Sequence, residues 1–292
     1  MLGACFALIG AFLSSTPPFQ NAMAMDANRC GIPVVYGFCR GVGSVSYAAA
    51  VLLLGFVLER HAPTLLLPVF AALTACGLIA MSGFRLPERP DEAADRPAEH
   101  RSIAAVLRSH PRFALTLLGC MFFFLTHTIS NTYMNALVGK AGGTASAVGT
   151  SLAISAVLEL PAMTLVSRLQ KRFSPGFFLR FAAGAEVVKF LIFYLARSMP
   201  LIYLGHCMQF FQFAVYAPAT VYYVAAALPE RDQLKGQSLI YVAGSGLGGA
   251  LGNLLGGRLL DRSGIQAALL LGTVSAAASL LTFCLSTRED SR

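Results

Sequence analysis

Tryptophan is absent from this chain, and charge is scarce: 12% of residues are Asp, Glu, Lys or Arg, whereas 56% are hydrophobic. Soluble domains carry about 25% charged residues, so this composition cannot clothe a water-facing surface. The seven cysteines (5, 30, 39, 76, 120, 207, 284) include no Cys-x-x-Cys pair. Most fall inside apolar runs, where the thiol acts as a small hydrophobe, so no disulfide or metal framework is expected. Without tryptophan, the aromatic belt at a membrane interface would fall to the 9 Tyr and 21 Phe. No nucleophile sits beside a His–acid pair, and His127 and His206 are far apart in sequence, each without a nearby acid. That argues against an enzyme. No cofactor motif or metal site is expected either.

What the chain has instead is long apolar runs and a mean hydropathy of +0.65. A spanning helix needs about 20 apolar residues. Nine stretches qualify: 2–24, 41–58, 63–84, 113–137, 144–167, 177–196, 200–227, 236–260 and 264–286. The first contains "SSTPPFQN", which a membrane helix tolerates when neighbours satisfy the backbone, and it lacks the basic start of a signal peptide. The reading is an all-α polytopic membrane protein.

The 22 Lys and Arg exceed the 14 Asp and Glu. They lie mostly between apolar runs, a pattern of membrane topology and not of nucleic-acid binding. Sixteen fall on one side: Arg29, Arg40, the six arginines of 85–112, Arg168, Lys171, Arg172, Arg180, Arg231, Lys235, Arg288 and Arg292. Five fall on the other, Arg60, Lys140, Arg197, Arg258 and Arg262, with Lys189 inside a span. The richer side should be cytoplasmic, placing the C-terminus inside and Met1 outside. The expected organisation is three spans in 1–84, a polar linker over 85–112 and a six-helix bundle in 113–287. A short amphipathic helix over 101–108 is compatible with the linker pattern.

Within the spans, polar residues are costly and therefore informative. Glu159 lies in "AISAVLELPAM" (153–163), roughly 12 Å from the cytoplasmic end of its helix at 1.5 Å per residue. A charge that deep costs about 2.5–3.5 kcal/mol, so the carboxyl should face the bundle interior. Ser151, Ser155 and Ala156 precede it and leave room for water. Pro161 removes the amide that would bond the Val157 carbonyl. Glu159 is thus either a proton-coupling group or a protonated acid bonded to a neighbouring helix.

His127, Asn131 and Asn135 recur every fourth residue and so share a helix face; His206, Gln209, Gln212 and Tyr216 project into one sector of another helix. Two polar stripes in one bundle point to a shared wet cavity, although interhelical hydrogen bonding would also use such residues. Glu186 and Lys189 are spaced to pair within one helix. "GSGLGG" (244–249) matches a dinucleotide fingerprint but has no preceding strand. Gly244, Gly248, Gly252 and Gly256 instead form an every-fourth-residue ridge for close helix packing.

Four stretches resemble the major facilitator superfamily, in its branch related to lactose permease and the proton-coupled sugar and nucleoside symporters: "YGFCRGVGSVSYAAAVLLLG" (36–55), "LELPAMTLVSRLQKRF" (158–173), "YAPATVYYVAAALPERDQLKGQSL" (216–239) and "GLGGALGNLLGGRLLDRSG" (246–264). The similarity runs from about Pro17 to Ser286. It implies two six-helix bundles, with this chain supplying family helices 4–12 and looking truncated at its N-terminus. By resemblance, Arg40 matches a sugar-contacting arginine and otherwise serves as a cytoplasmic anchor. The stretch "FQNAMAMD" (19–26) has Asn21 and Ala22 where that arginine's glutamate partner would stand. Lys189 falls near a coupling arginine of the family. Gln209 and Gln212 take the places of a histidine and a glutamate of its proton relay, and neither amide can titrate.

The expectation is a secondary transporter in a bacterial cytoplasmic (inner) membrane. It would carry a small polar substrate, sugar or nucleoside-like, together with protons. Its partners would be substrate, protons and lipid, with no nucleic acid; the oligomeric state stays open. The alternative is a non-transporting membrane protein or an inactive fragment.

Overall fold

The computed structural model describes residues 16–28, 30–58, 63–83 and 102–287. Among the described residues every regular element is helical. Helix α1 covers 16–28; α2 is Tyr36–Leu58 and α3 Leu66–Ser82. After the stretch 84–101, which lies outside the described residues together with most of the expected linker, come α4 (Ile103–Ser109), α5 (Pro111–Thr132), α6 (Met134–Lys140) and α7 (Ala145–Leu169). Then follow α8 (Pro175–Leu195), α9 (Met199–Cys207), α10 (Phe213–Ala227), α11 (Glu230–Tyr241), α12 (Gly249–Ser263) and α13 (Ile265–Ser286).

Among the described residues, five helical paths are long and apolar enough to cross a membrane: Pro111–Thr132, Ala147–Leu169, Met199–Ala227, Glu230–Ser263 and Ile265–Ser286. Leu67–Ser82 is apolar but shorter. Helix α8 has the length, yet carries Arg180, Glu186 and Lys189. The first expected span, 2–24, lies outside the described residues up to residue 15. Leucine and valine project outward along α13 at Leu270, Val274, Leu281 and Leu285, and along α3 at Leu67, Leu78 and Ile79. In water such faces would demand a partner; in a bilayer hydrocarbon solvates them.

Two expected helices are interrupted. The run 113–137 ends at Thr132, where Tyr133 (φ −102°, ψ 21°) leaves helical geometry before α6. The run 200–227 is broken by a 3-10 turn at Met208–Phe210 and by Gln212 (φ −101°, ψ −92°). Between α11 and α12 the chain stays helical but widens into a π-helical stretch, Val242–Gly248. Four glycines cluster at this widening and its exit; lacking side chains, they let the coil loosen where an ordinary helix would resist.

Close helix approach is bought with small residues. A Cβ at Gly252 would meet the Leu125 carbonyl oxygen at 2.6 Å, one at Gly244 the Phe124 ring at 2.8 Å, and one at Gly256 the Tyr133 ring at 2.6 Å; Gly248 lies against the Met121 carbonyl. This ridge therefore beds the α11–α12 path onto α5. At a second seam, Gly41 of α2 sits where a Cβ would be 2.7 Å from Leu160 Cα, and Gly37 lies against Met163 and Ser167 of α7. The Gly37 amide donates to Ser167 Oγ at 2.9 Å. Between these seams an aromatic core gathers Phe113, Phe123, Tyr216, Tyr222 and Phe283, with the Phe123 and Tyr216 rings stacked at 3.9 Å.

Candidate functional site

The α2–α7 seam carries Glu159 at its centre. Gly37 and Gly41 draw α2 so close that Ser44, one turn beyond Gly41, reaches across and donates its hydroxyl to Glu159 Oε2. The other oxygen, Oε1, accepts from Gln209 Nε2 at 2.9 Å. Gln209 in turn accepts from Lys189 Nζ at 3.1 Å through its own Oε1. At the far end Arg40 Nη1 donates to Ser44 Oγ at 3.3 Å. Five side chains from α2, α7, α8 and the 3-10 turn thus form one line: Arg40, Ser44, Glu159, Gln209, Lys189.

The chemistry of the line fixes its polarity. Lys189 offers only donors and an ionised Glu159 only acceptors, so the Gln209 amide must turn its oxygen to the lysine and its nitrogen to the glutamate. Glu159 is 9% exposed, Gln209 5% and Lys189 2%. Buried charges of this kind persist only when hydrogen-bonded, and each here is. The 3-10 turn that interrupts α9 and α10 is what delivers Gln209 to this point.

His206 and Ser155 flank the line, with Ser155 Oγ and His206 Nδ1 3.2 Å apart. Glu186 and Lys189 do not close the ion pair that their spacing suggested. Lys189 reaches away to Gln209, and both Glu186 carboxyl oxygens are buried without a hydrogen-bond partner. Helical spacing brings the two stems to one side, yet the ammonium bonds the Gln209 amide oxygen and not the Glu186 carboxyl.

Of the two polar stripes, only Tyr216 is among the residues lining the cavity described below. His127 stacks on Phe213 with centroids 4.4 Å apart, and its Nδ1 has no partner. Asn131 is exposed and turns its amide back to the His127 carbonyl at 2.9 Å. Asn135 belongs to α6, beyond the break at Tyr133, and so leaves the His127 face. Gln212 is fully buried with neither amide atom bonded, while Tyr216 packs in the aromatic core.

A cavity of about 600 Å³ opens instead between α1, α2, α5, α10 and the α11 path. Asn21, Tyr36, Arg40, Phe213, Thr220 and Tyr241 are among its lining residues. Asn21 ties the helices together: it accepts from the Tyr36 hydroxyl at 2.7 Å and donates to Gln237 Oε1 at 3.5 Å. Arg40 belongs to both cavity and line, joining the space where a small molecule fits to the buried carboxylate. Reasoning from sequence singled out Arg40 but not Ser44, Tyr36 or the Gly37–Gly41 pair. The available signal was that Gly37, Gly41 and Ser44 recur every third or fourth residue and share the face of α2 that Arg40 borders.

A helical membrane fold with an interhelical cavity and a buried, hydrogen-bonded carboxylate beside it defines a polytopic transporter. Residues 4–271 match the model of the MFS_1 like family, nearly the whole chain, and the chain belongs to that family. It is an integral membrane protein of the major facilitator type. A maltose permease of Geobacillus stearothermophilus is 28% identical over 286 residues, covering 97% of this chain and 71% of the relative. The uncharacterized transporter YwbF of Bacillus subtilis (strain 168) is 22% identical over 293 residues, covering 100% and 71%. Among solved structures, the major facilitator transporter FucP in its outward conformation superposes with a TM-score of 0.59 at 17% identity, over 93% of this chain and 69% of FucP. A second FucP structure, described as the E. coli fucose:proton symporter, gives 0.55 at 17% identity over 80% and 60%.

Proposed function

We propose that this chain acts in proton-coupled symport of a small polar metabolite of the sugar or nucleoside-like class, with Glu159 as the proton-carrying group. The observation that carries this reading is the line from Arg40 to Lys189. It places one carboxylate, reached from both ends by cationic side chains, directly behind a cavity of metabolite size. A proton on Glu159 would remove the charge that Gln209 and Lys189 serve, and so loosen the α2–α7 seam. Substrate between two helix bundles near mid-membrane is the general arrangement of such transporters, and a maltose permease among the relatives supports a sugar-class substrate. The topology proposed with it has the C-terminus in the cytoplasm of a bacterial inner membrane. Reporter fusions after Arg292 should then read cytoplasm, and fusions after Gly142 the outside.

The test is substrate-evoked proton uptake into proteoliposomes. Wild type should acidify the lumen when substrate is added, and Glu159→Gln, folded by size-exclusion profile, should lose at least nine-tenths of that signal. Normal proton uptake by the Gln variant would remove Glu159 from the coupling role.

A further inference from the structure

The cavity has an unusual charge inventory. Among the described residues that line it, Arg40 alone carries a formal charge and none is acidic. Arg40 makes one hydrogen bond, to Ser44 Oγ at 3.3 Å, leaving most of its five N–H donors for another acceptor. Glu159 and Glu186 are not among its described lining residues. Glu159 has both oxygens engaged, by Ser44 and Gln209. Asn21 stands across the same cavity as a neutral amide, already bonded to Tyr36 and Gln237.

The remaining walls fall into two kinds. Phe124, Phe213 and Tyr216 give flat apolar faces, while Gln20, Thr220 and Ser245 add amide and hydroxyl groups. Aromatic faces suit the C–H face of a saturated ring, and scattered hydroxyl and amide groups suit its hydroxyls. A planar guanidinium with free donors, in a mostly apolar space, suits a carboxylate held by two parallel hydrogen bonds. Resting on the transport reading above and deepening it, we infer that the substrate is a monoanionic polyhydroxylated ring, a sugar acid, whose carboxylate docks on Arg40.

The same geometry ties the anion to the proton. A carboxylate on Arg40 draws the guanidinium away from Ser44 and adds a negative charge near Glu159, which favours a proton on Glu159. Anion and proton then enter together without net charge.

Binding to the purified 292-residue chain in nanodiscs tests this with radiolabelled D-glucuronate and D-glucose as probes and acetate as competitor. Glucuronate should bind at least tenfold more tightly than glucose, and acetate at the same concentration should not displace it, because it lacks the ring. Arg40→Lys should keep only part of the preference, whereas Arg40→Gln should bring the ratio to about one. Glucose binding as tightly as glucuronate, a preference that survives in Arg40→Gln, or binding of neither probe would each overturn the inference. Proton uptake with each probe in proteoliposomes separates the two readings. Uptake driven by glucose alone would leave coupling standing and sink the charge class; glucuronate preference without proton uptake would do the reverse.

Discussion

Two seams in this molecule rest on the same device and differ in what lies beside it. On the α5 side, Gly244, Gly248, Gly252 and Gly256 let the α11–α12 path settle onto the Met121 and Leu125 carbonyls and the Phe124 and Tyr133 rings. On the α7 side, Gly37 and Gly41 let α2 settle onto Leu160 and Met163. The first seam meets aromatic rings, backbone and neutral polar groups, with Asn253 accepting from the Thr132 and Tyr133 hydroxyls. The second has Ser44 and Arg40 close to its glycines; Ser44 donates to Glu159, and Arg40 donates to Ser44. Close packing in lipid gains little from apolar contact alone, because hydrocarbon competes on equal terms. Glycine spacing therefore sets only how near two helices come; the residues beside the glycines decide whether neutral or ionisable side chains meet across the contact.

The comparison breaks most visibly at the glycines. Gly37→Leu or Gly41→Leu drives a side chain into the α7 backbone, and overpacking of this kind costs about 3 kcal/mol. The expected outcome is a large drop in folded protein in membranes together with loss of transport, measured by fluorescence-detected chromatography and uptake. Gly252→Leu should lower folded protein to a similar degree, while Leu at the exposed neighbour Ala250 should be tolerated. Equal damage from both would mean the ridge has no special face.

A smaller effect is expected from Gln209→Leu, which strands Lys189 and removes one donor from Glu159. An unsatisfied buried group costs about 1–3 kcal/mol, so thermal stability should fall measurably and proton coupling more steeply. Ser44→Ala is the mildest change. It removes two hydrogen bonds, one to Glu159 and one from the part-buried Arg40, each worth about 1 kcal/mol, and should weaken coupling severalfold without changing protein yield. If Ser44→Ala lowered yield as much as Gly41→Leu, the polar seam would be a structural joint like its counterpart.

The parts of this site legible in the sequence were those whose cost is intrinsic. Glu159 stands out because an acid in an apolar helix needs a reason, and Lys189 and Gln209 stand out on the same ground. Their mutual contacts were not legible, because Gln209 reaches Glu159 only through a 3-10 turn that no periodicity announces. Assuming unbroken helices grouped His127 with Asn131 and Asn135, and His206 with Gln212 and Tyr216. The irregularities at Tyr133 and at Met208–Gln212 put Asn135 on a different helix from His127, and Tyr216 on a different helix from His206. Ser44 escaped notice because a hydroxyl in a membrane helix is common, most often bonding its own backbone, as Thr116, Ser151 and Thr164 do here. The apolar runs, by contrast, were plain from composition, since a bilayer leaves a chain few ways to satisfy its backbone.

The central claim is that one buried carboxyl, Glu159, takes up the proton when substrate binds. An infrared difference spectrum of the reconstituted protein, recorded with and without substrate, reads this directly as a gain in the carbonyl stretch of a protonated carboxyl. The account predicts that this band appears in wild type, persists in Glu186→Gln and vanishes in Glu159→Gln. A band that persists in Glu159→Gln and vanishes in Glu186→Gln would contradict it, placing the proton on the carboxyl that has no hydrogen-bond partner.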